Sequence, residues 1–251
     1  MLISLTILGS NILKKNRLGE IAMSLVVKAV AFDLDGTLIN SAKGLAEAVD
    51  QALVALGYEP VGFDQVSVWI GHGAINLVET ALKYIDPTAG IEKFDTGFAL
   101  FTKFYTEILK KGSEVYPHVY ETLDALKSEG YKLALITNKP SRFLPTLLAE
   151  LKMTDYFDLV LGADDVVARK PHPAPIFLTL GQFGLRQEEL LFVGDSKNDI
   201  DSAKDAGVKT IGVTYGYNFG RSITAENPTF VVSDMLELLP IVNLFSGVDT
   251  Q

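Results

Sequence analysis

Two aspartates separated by one residue, Asp33 and Asp35, follow a short apolar run and lead into Gly36 and Thr37. Alternate residues of a strand face the same way, so both carboxylates can address one place at the strand's end while Leu34 turns back into protein. Carboxylates that close repel each other unless a cation lies between them. Magnesium suits such a pair, because it takes a few carboxylate oxygens and completes its shell with water or phosphate oxygen. Gly36 permits a tight turn there. Taken alone, the DLDGT segment has a lesser alternative reading as an ordinary Asp-Gly turn.

Further groups stand at the ends of other apolar runs. Asp195 ends LLFVGD and would supply a third metal carboxylate; Asp199, four residues on, reads as a helix cap or a group that orients the metal site at least as readily as a direct ligand. Thr137 and Asn138 close the run KLALIT with a hydroxyl and an amide able to donate to a phosphoryl oxygen, a pairing that is also common in turns. Lys170 precedes Pro171 in ARKPHPAP, and that stiff flank would hold its ammonium near carboxylates and phosphate. Two carboxylate sites, a donor pair and a cation at four separate run ends are what a phosphoryl-transfer centre requires.

The elements that must position these groups are visible as apolar runs. Segments 25–32, 131–136, 157–161, 190–193, 209–214 and 230–232 read as short buried strands. Helical stretches lie between them, for example Val119, Leu123 and Leu126 after Pro117 with Gly130 as a C-terminal cap. Alternating strand and helix predicts an α/β core with a mainly parallel sheet. Residues 41–112 break the rhythm with helical stripes (Leu45, Ala48, Ala52, Leu53, Leu56; then Phe94, Phe98, Phe101, Tyr105, Ile108) and no convincing strand. A helical insert placed directly after the first carboxylates would cover the crevice where open α/β sheets bind ligands, which predicts a cap. Its Gly71-His72-Gly73 opens a helix whose free backbone N–H groups could meet a small acid's carboxylate, or is simply a glycine-rich helix start. His118 and His172 read as turn or surface residues, and the loop 215–219 either borders the site or forms surface or subunit contact.

Composition excludes several classes. The net charge of −9, with no Lys/Arg cluster, disfavours nucleic acid. No apolar stretch reaches the ~20 residues of a membrane span. The absence of cysteine removes disulfides, thiolate zinc sites and cysteine nucleophiles, and fits a reducing, cytoplasmic compartment. In residues 1–22 the apolar run precedes Lys14, Lys15 and Arg17, opposite to a secretion signal, so this segment is expected to be a poorly ordered extension.

Set together, DLDGT at 33–37, Thr137, Lys170 and GDSKND at 194–199 resemble the four motifs of the haloacid dehalogenase superfamily, in order and setting over residues 24 to about 240. Within it the chain is most similar to phosphoglycolate phosphatases, in FDLDGTLINS, WIGHGA, ITNKP, GDSKNDI and TYGYNFG. The resemblance implies a Rossmann-like core (23–40 and 113–251) with an all-helical cap (41–112), hinged near 40–43 and 111–115. It implies Asp33 as nucleophile, Asp35 as general acid and then base, and Thr137 and Lys170 as phosphoryl partners. Magnesium would be held by Asp33, the Asp35 backbone carbonyl and Asp195, with Asp199 behind them. Thr137, Asn138, Lys170 and Gly71, His72 and Gly73 would bind a small phosphorylated metabolite, 2-phosphoglycolate first, in a monomer or homodimer. Asp35 argues against a dehalogenase, which protonates no leaving oxygen, and a phosphonate hydrolase would replace this carboxylate. A phosphosugar mutase keeps both aspartates, and the motifs leave it, a pyrophosphatase and a nucleotidase open as alternatives. A non-catalytic binding module would be expected to have lost one of Asp33, Asp35, Lys170 or Asp195.

Overall fold

The apolar run before Asp33 forms the central strand β1 (Ala29–Phe32), buried at every residue, as expected of a strand covered on both faces. It pairs in parallel with β4 (Lys132–Ile136) on one side and β6 (Leu190–Gly194) on the other. In this computed structural model, which describes residues 26–109 and 113–245, the sheet has six strands in the order β5-β4-β1-β6-β7-β8. The outer strands are β5 (Leu159–Leu161), β7 (Lys209–Val213) and β8 (Phe230–Val232), and every pairing within the sheet is parallel. The expected α/β class is therefore present. The strands are up to four residues shorter at their N-terminal ends than the apolar runs, because Val27 and Lys28 approach the sheet as irregular chain.

Register carries the functional consequence. Phe32 lies opposite Leu135 and Val193, so the chain leaves all three strands at one level: at Asp33, just before Thr137, and just before Asp195. The Asp33 amide continues the ladder to Val193 O at 2.9 Å, and the Thr137 amide to Leu161 O at 2.9 Å. Helices between the strands bury one face each. In Val119–Ser128 the stripe Val119, Leu123 and Leu126 is fully buried; each such side chain removed from water contributes about 1.5–3 kcal/mol. Gly130, at φ 85°, ends the helix where a side chain would be strained.

Between β1 and the rest of the sheet the chain forms a two-residue strand β2 (Ile39–Asn40), then α1 (Ala42–Ala55), α2 (Phe63–Ser67), α3 (Ala74–Ile85) and α4 (Ile91–Leu109), and returns through β3 (Glu114–Val115). β2 and β3 pair antiparallel, tying both ends of the helical insert together. The stripes read from the sequence form its core: Leu45, Ala48, Ala52 and Leu53 of α1 and Phe101 and Tyr105 of α4 are buried. Gly97 lets α4 approach closely; a Cβ there would lie 3.1 Å from both Leu56 and Leu82. The expected N-terminal extension, residues 1–22, and part of the segment 111–115 lie outside the described residues. Among the described residues no helix is long and apolar enough to cross a membrane.

Candidate active site

The common level of three strand ends gathers buried carboxylates. Asp33 follows β1, Asp195 follows β6, and Asp199 lies in the first turn of the helix Lys197–Asp205, so that one oxygen of each falls within 4.8 Å of the others. Burial pushes the Asp33 carboxyl up to about 7, against the pull of Lys170 and with a further push from Asp199. Asp195 is also raised well above the usual range, first by burial and then by Asp199 and Asp33. Clustered oxygens that are costly to ionise fit a hard divalent cation, which would pay for their charge.

The three acids are not equivalent. Asp199 Oδ2 accepts from the Ser196 amide (3.0 Å) and hydroxyl (2.7 Å), and Oδ1 accepts from Lys170 Nζ at 2.6 Å. Both oxygens are thus occupied by a helix cap and an ammonium, which suits an orienting role behind the metal position. Asp195 has neutral donors only: Thr37 Oγ1 at 3.2 Å and the Tyr217 amide at 2.7 Å. Lys170 is 3% exposed and also bonds Asp33 Oδ1 and Ile136 O, each at 2.7 Å. Burial pulls its pKa down, but Asp199 and Asp33 outweigh it, so the group holds its proton more tightly than an ordinary lysine. Two glycines make room for Asp195: a Cβ on Gly36 (φ 94°) would fall 2.4 Å from Asp195 Oδ2, and one on Gly216 would fall 2.1 Å from Asp195 Cβ.

Asp35 departs from the simplest expectation. Its carboxylate does not join the three-acid cluster; it pairs with Lys139 Nζ at 2.8 and 3.0 Å. The repulsion between Asp33 and Asp35 is thereby met by separate ammoniums, Lys170 for one and Lys139 for the other. Lys139, 5% exposed, also donates to Tyr105 OH on α4 at 2.7 Å. Lys139 is not among the candidates drawn from the sequence, where ITNKP contributes only Thr137 and Asn138. The signal that could have found it is local: Lys139 stands two residues after Thr137, at a strand end that faces the carboxylates. Thr137 accepts from the Lys139 amide at 3.1 Å.

The insert closes over this edge through Gly71. Its carbonyl accepts from Asn138 Nδ2 (3.2 Å) and Asn198 Nδ2 (3.0 Å), and Asn138 Nδ2 also bonds Lys170 O at 2.9 Å. The Asn138 amide nitrogen, expected to meet a ligand, is therefore spent on bracing the insert. Gly73 caps α3 as expected of a glycine-rich helix start, and a Cβ there would lie 2.8 Å from Asn138 O. The His72 ring stacks on Phe219 with centroids 4.4 Å apart and lies near Asn198 Nδ2 at 3.0 Å. Gly71 and Gly73 line the crevice, together with Asp33, Asp35, Thr137, Lys139 and Lys170; the lining does not include His72. The loop 215–219 borders the site from behind, with Tyr217 OH accepting from the Ser41 and Ala42 amides and donating to Asn40 Oδ1. His118 and His172 stand apart, the first paired with Asp234 and the second accepting from the Ala174 amide.

A sequence profile described as haloacid dehalogenase-like hydrolase matches residues 30–213. The chain is 48% identical over 218 residues to a protein of Photorhabdus laumondii named phosphoglycolate phosphatase, covering 87% of this chain and 93% of that one. It is 45% identical over 225 residues to a Yersinia pestis protein of the same name, covering 90% and 97%. The crystal structure of a predicted phosphoglycolate phosphatase from Haemophilus somnus superposes with a TM-score of 0.83 at 37% identity, covering 86% of this chain and 97% of that one.

Proposed function

The chain belongs to the haloacid dehalogenase-like hydrolase family, and from that premise we propose that it is a magnesium-dependent phosphatase that hydrolyses 2-phosphoglycolate through an aspartyl-phosphate on Asp33. The observation that carries this reading is the convergence of Asp33, Asp195 and Lys170 on one buried point, with Lys170 Nζ 2.7 Å from Asp33 Oδ1. The names of the relatives from Photorhabdus and Yersinia support the substrate.

In this reading Asp33 attacks phosphorus in line, forming an acyl-phosphate bond as the bond to the ester oxygen breaks. Asp35 delivers a proton to the departing oxygen, then takes one from the water that attacks the aspartyl-phosphate, releasing phosphate and Asp33. Lys170 and Thr137 bind the phosphoryl oxygens, and Lys170 is held in place by Asp199 and Ile136 O. Magnesium, held by Asp33, the Asp35 carbonyl and Asp195, would neutralise charge on the transferring group. The helical insert, 41–112, acts as a cap that excludes water during the first step, moving on the β2–β3 ribbon. The substrate is a small cytoplasmic metabolite, and the enzyme works as a monomer or homodimer.

Phosphate release from 2-phosphoglycolate, glucose 1-phosphate, pyrophosphate, nucleoside monophosphates and an aryl phosphate, with magnesium or chelator, tests this. The expected result is a kcat/KM for 2-phosphoglycolate far above the others, abolished by chelator and by Asp33→Asn. A different best substrate overturns the substrate assignment, and an active Asp33→Asn overturns the mechanism.

A further inference from the structure

The crevice is lined by four carboxylates, Asp33, Asp35, Asp195 and Asp199, and by two ammoniums, Lys170 and Lys139. Lys170 is held by Asp33, Asp199 and Ile136 O, at the nucleophile's end, where it serves the phosphoryl group. Lys139 is placed differently. It meets Asp35, the residue nearest the leaving group in the proposed reaction, and it reaches the insert through Tyr105 OH. An ester whose leaving group carries its own carboxylate would bring that charge toward the Asp35 end, beside the α3 N-terminus at Gly73 and Ala74, which lines the same crevice.

We propose that Lys139, oriented by Tyr105, is the specificity-determining residue that receives the carboxylate of an acidic leaving group. The inference rests on the phosphatase reading above and deepens it, from a preferred substrate to the side chain that selects its class. Three features make Lys139 suited to this. Its burial leaves its attraction poorly screened by water. Tyr105 OH, whose proton burial holds on to until about pH 12, gives Nζ a neutral second partner, so the ammonium can turn from Asp35 to a substrate carboxylate without losing its position. Phe143 lies edge-on to the Tyr105 ring at 5.2 Å and fixes it from the core side. The same contacts join core to insert, so an acidic tail seated on Lys139 would also hold the insert closed.

The test compares 2-phosphoglycolate with its near-isosteric amide, 2-phosphoglycolamide, in wild type, Lys139→Met and Lys139→Arg. Wild type is expected to favour the acid. In Lys139→Met the acid-to-amide ratio of kcat/KM is expected to fall at least tenfold, chiefly through KM for the acid, and Lys139→Arg is expected to recover part of it. Equal losses on both esters, leaving the ratio unchanged, would overturn the proposal and assign Lys139 a purely structural role. A wild-type ratio near unity would overturn it as well. If 3-phosphoglycerate proves the better substrate while the acid-to-amide ratio still collapses in Lys139→Met, the substrate name fails and the role of Lys139 stands. Should Lys139→Met fail to fold, Tyr105→Phe, which removes only the orienting hydroxyl, is expected to lower the ratio severalfold; an unchanged ratio there counts against the proposal.

Discussion

Lys170 sits between two buried aspartates, and its removal asks more of the protein than the loss of one contact. Lys170→Met would leave Asp33 and Asp199 as uncompensated charges, an effect of about 3–5 kcal/mol where a buried pair is broken from one side. Denaturant unfolding of the metal-free protein is expected to show a loss of that size, and adding Asp199→Asn to recover part of it, because one of the two stranded charges is then gone. Activity should fall by at least ~10³-fold in Lys170→Met and in Asp33→Asn, as is usual when one member of a cooperating catalytic set is removed. Gly216→Ala reaches the same centre by a different route. Its Cβ would collide with Asp195 Cβ, so magnesium affinity, read by titrating activity against magnesium, is expected to weaken. At this scale Asp33 and Asp195 were legible because each stands at the end of an apolar run, and runs of a parallel sheet end together; Lys170 was legible from its stiff, proline-bounded flank in ARKPHPAP. Lys139 was harder to read: its place two residues after Thr137 puts it at the right strand end, but its partner Asp35 is 104 positions away and the pairing is seen only in the fold.

The elements join through a small latch. Gly71 O accepts two asparagine side chains from the core, and Phe219 stacks on His72 while filling the space a Gly71 Cβ would need. Each hydrogen bond is worth about 0.5–1.5 kcal/mol, enough to bias the proposed cap between open and closed without fixing it. Asn198→Ala and Phe219→Ala are accordingly expected to raise KM severalfold, lower kcat less, and speed amide exchange around residues 70–74. Unchanged exchange with unchanged KM would show that the latch does not hold the insert. The two long stripes of the insert, on α1 and α4, and the sheet's parallel core were readable from period and run length alone. The β2–β3 ribbon was not, because a two-residue strand has no period, and its pairing of Ile39 with Val115 joins chain segments that only the folded insert brings together.

At the scale of the whole molecule the acid cluster links stability to pH and to metal. Asp33 has its folded pKa raised from 3.8 to about 7, and Asp195 is raised in the same direction. A carboxyl raised on folding contributes stability that is fully present below its unfolded value and is lost as pH rises through the folded one. For Asp33 that loss falls between about pH 4 and pH 7, where the unfolded chain has released a proton that the folded chain still holds. A divalent cation binds the ionised cluster and competes with those protons, so its stabilising effect grows as they leave. Magnesium is therefore expected to raise the melting temperature more at about pH 8 than at about pH 5.5. Asp195→Asn removes one buried charge while keeping an oxygen for the Tyr217 amide. In the metal-free state at about pH 8 it is expected to be more stable than wild type, with its magnesium-dependent gain largely gone. Scanning calorimetry of both proteins at the two pH values, with magnesium and with chelator, checks each part. An equal magnesium shift in wild type and Asp195→Asn would mean that the ion stabilises the protein from somewhere other than this cluster.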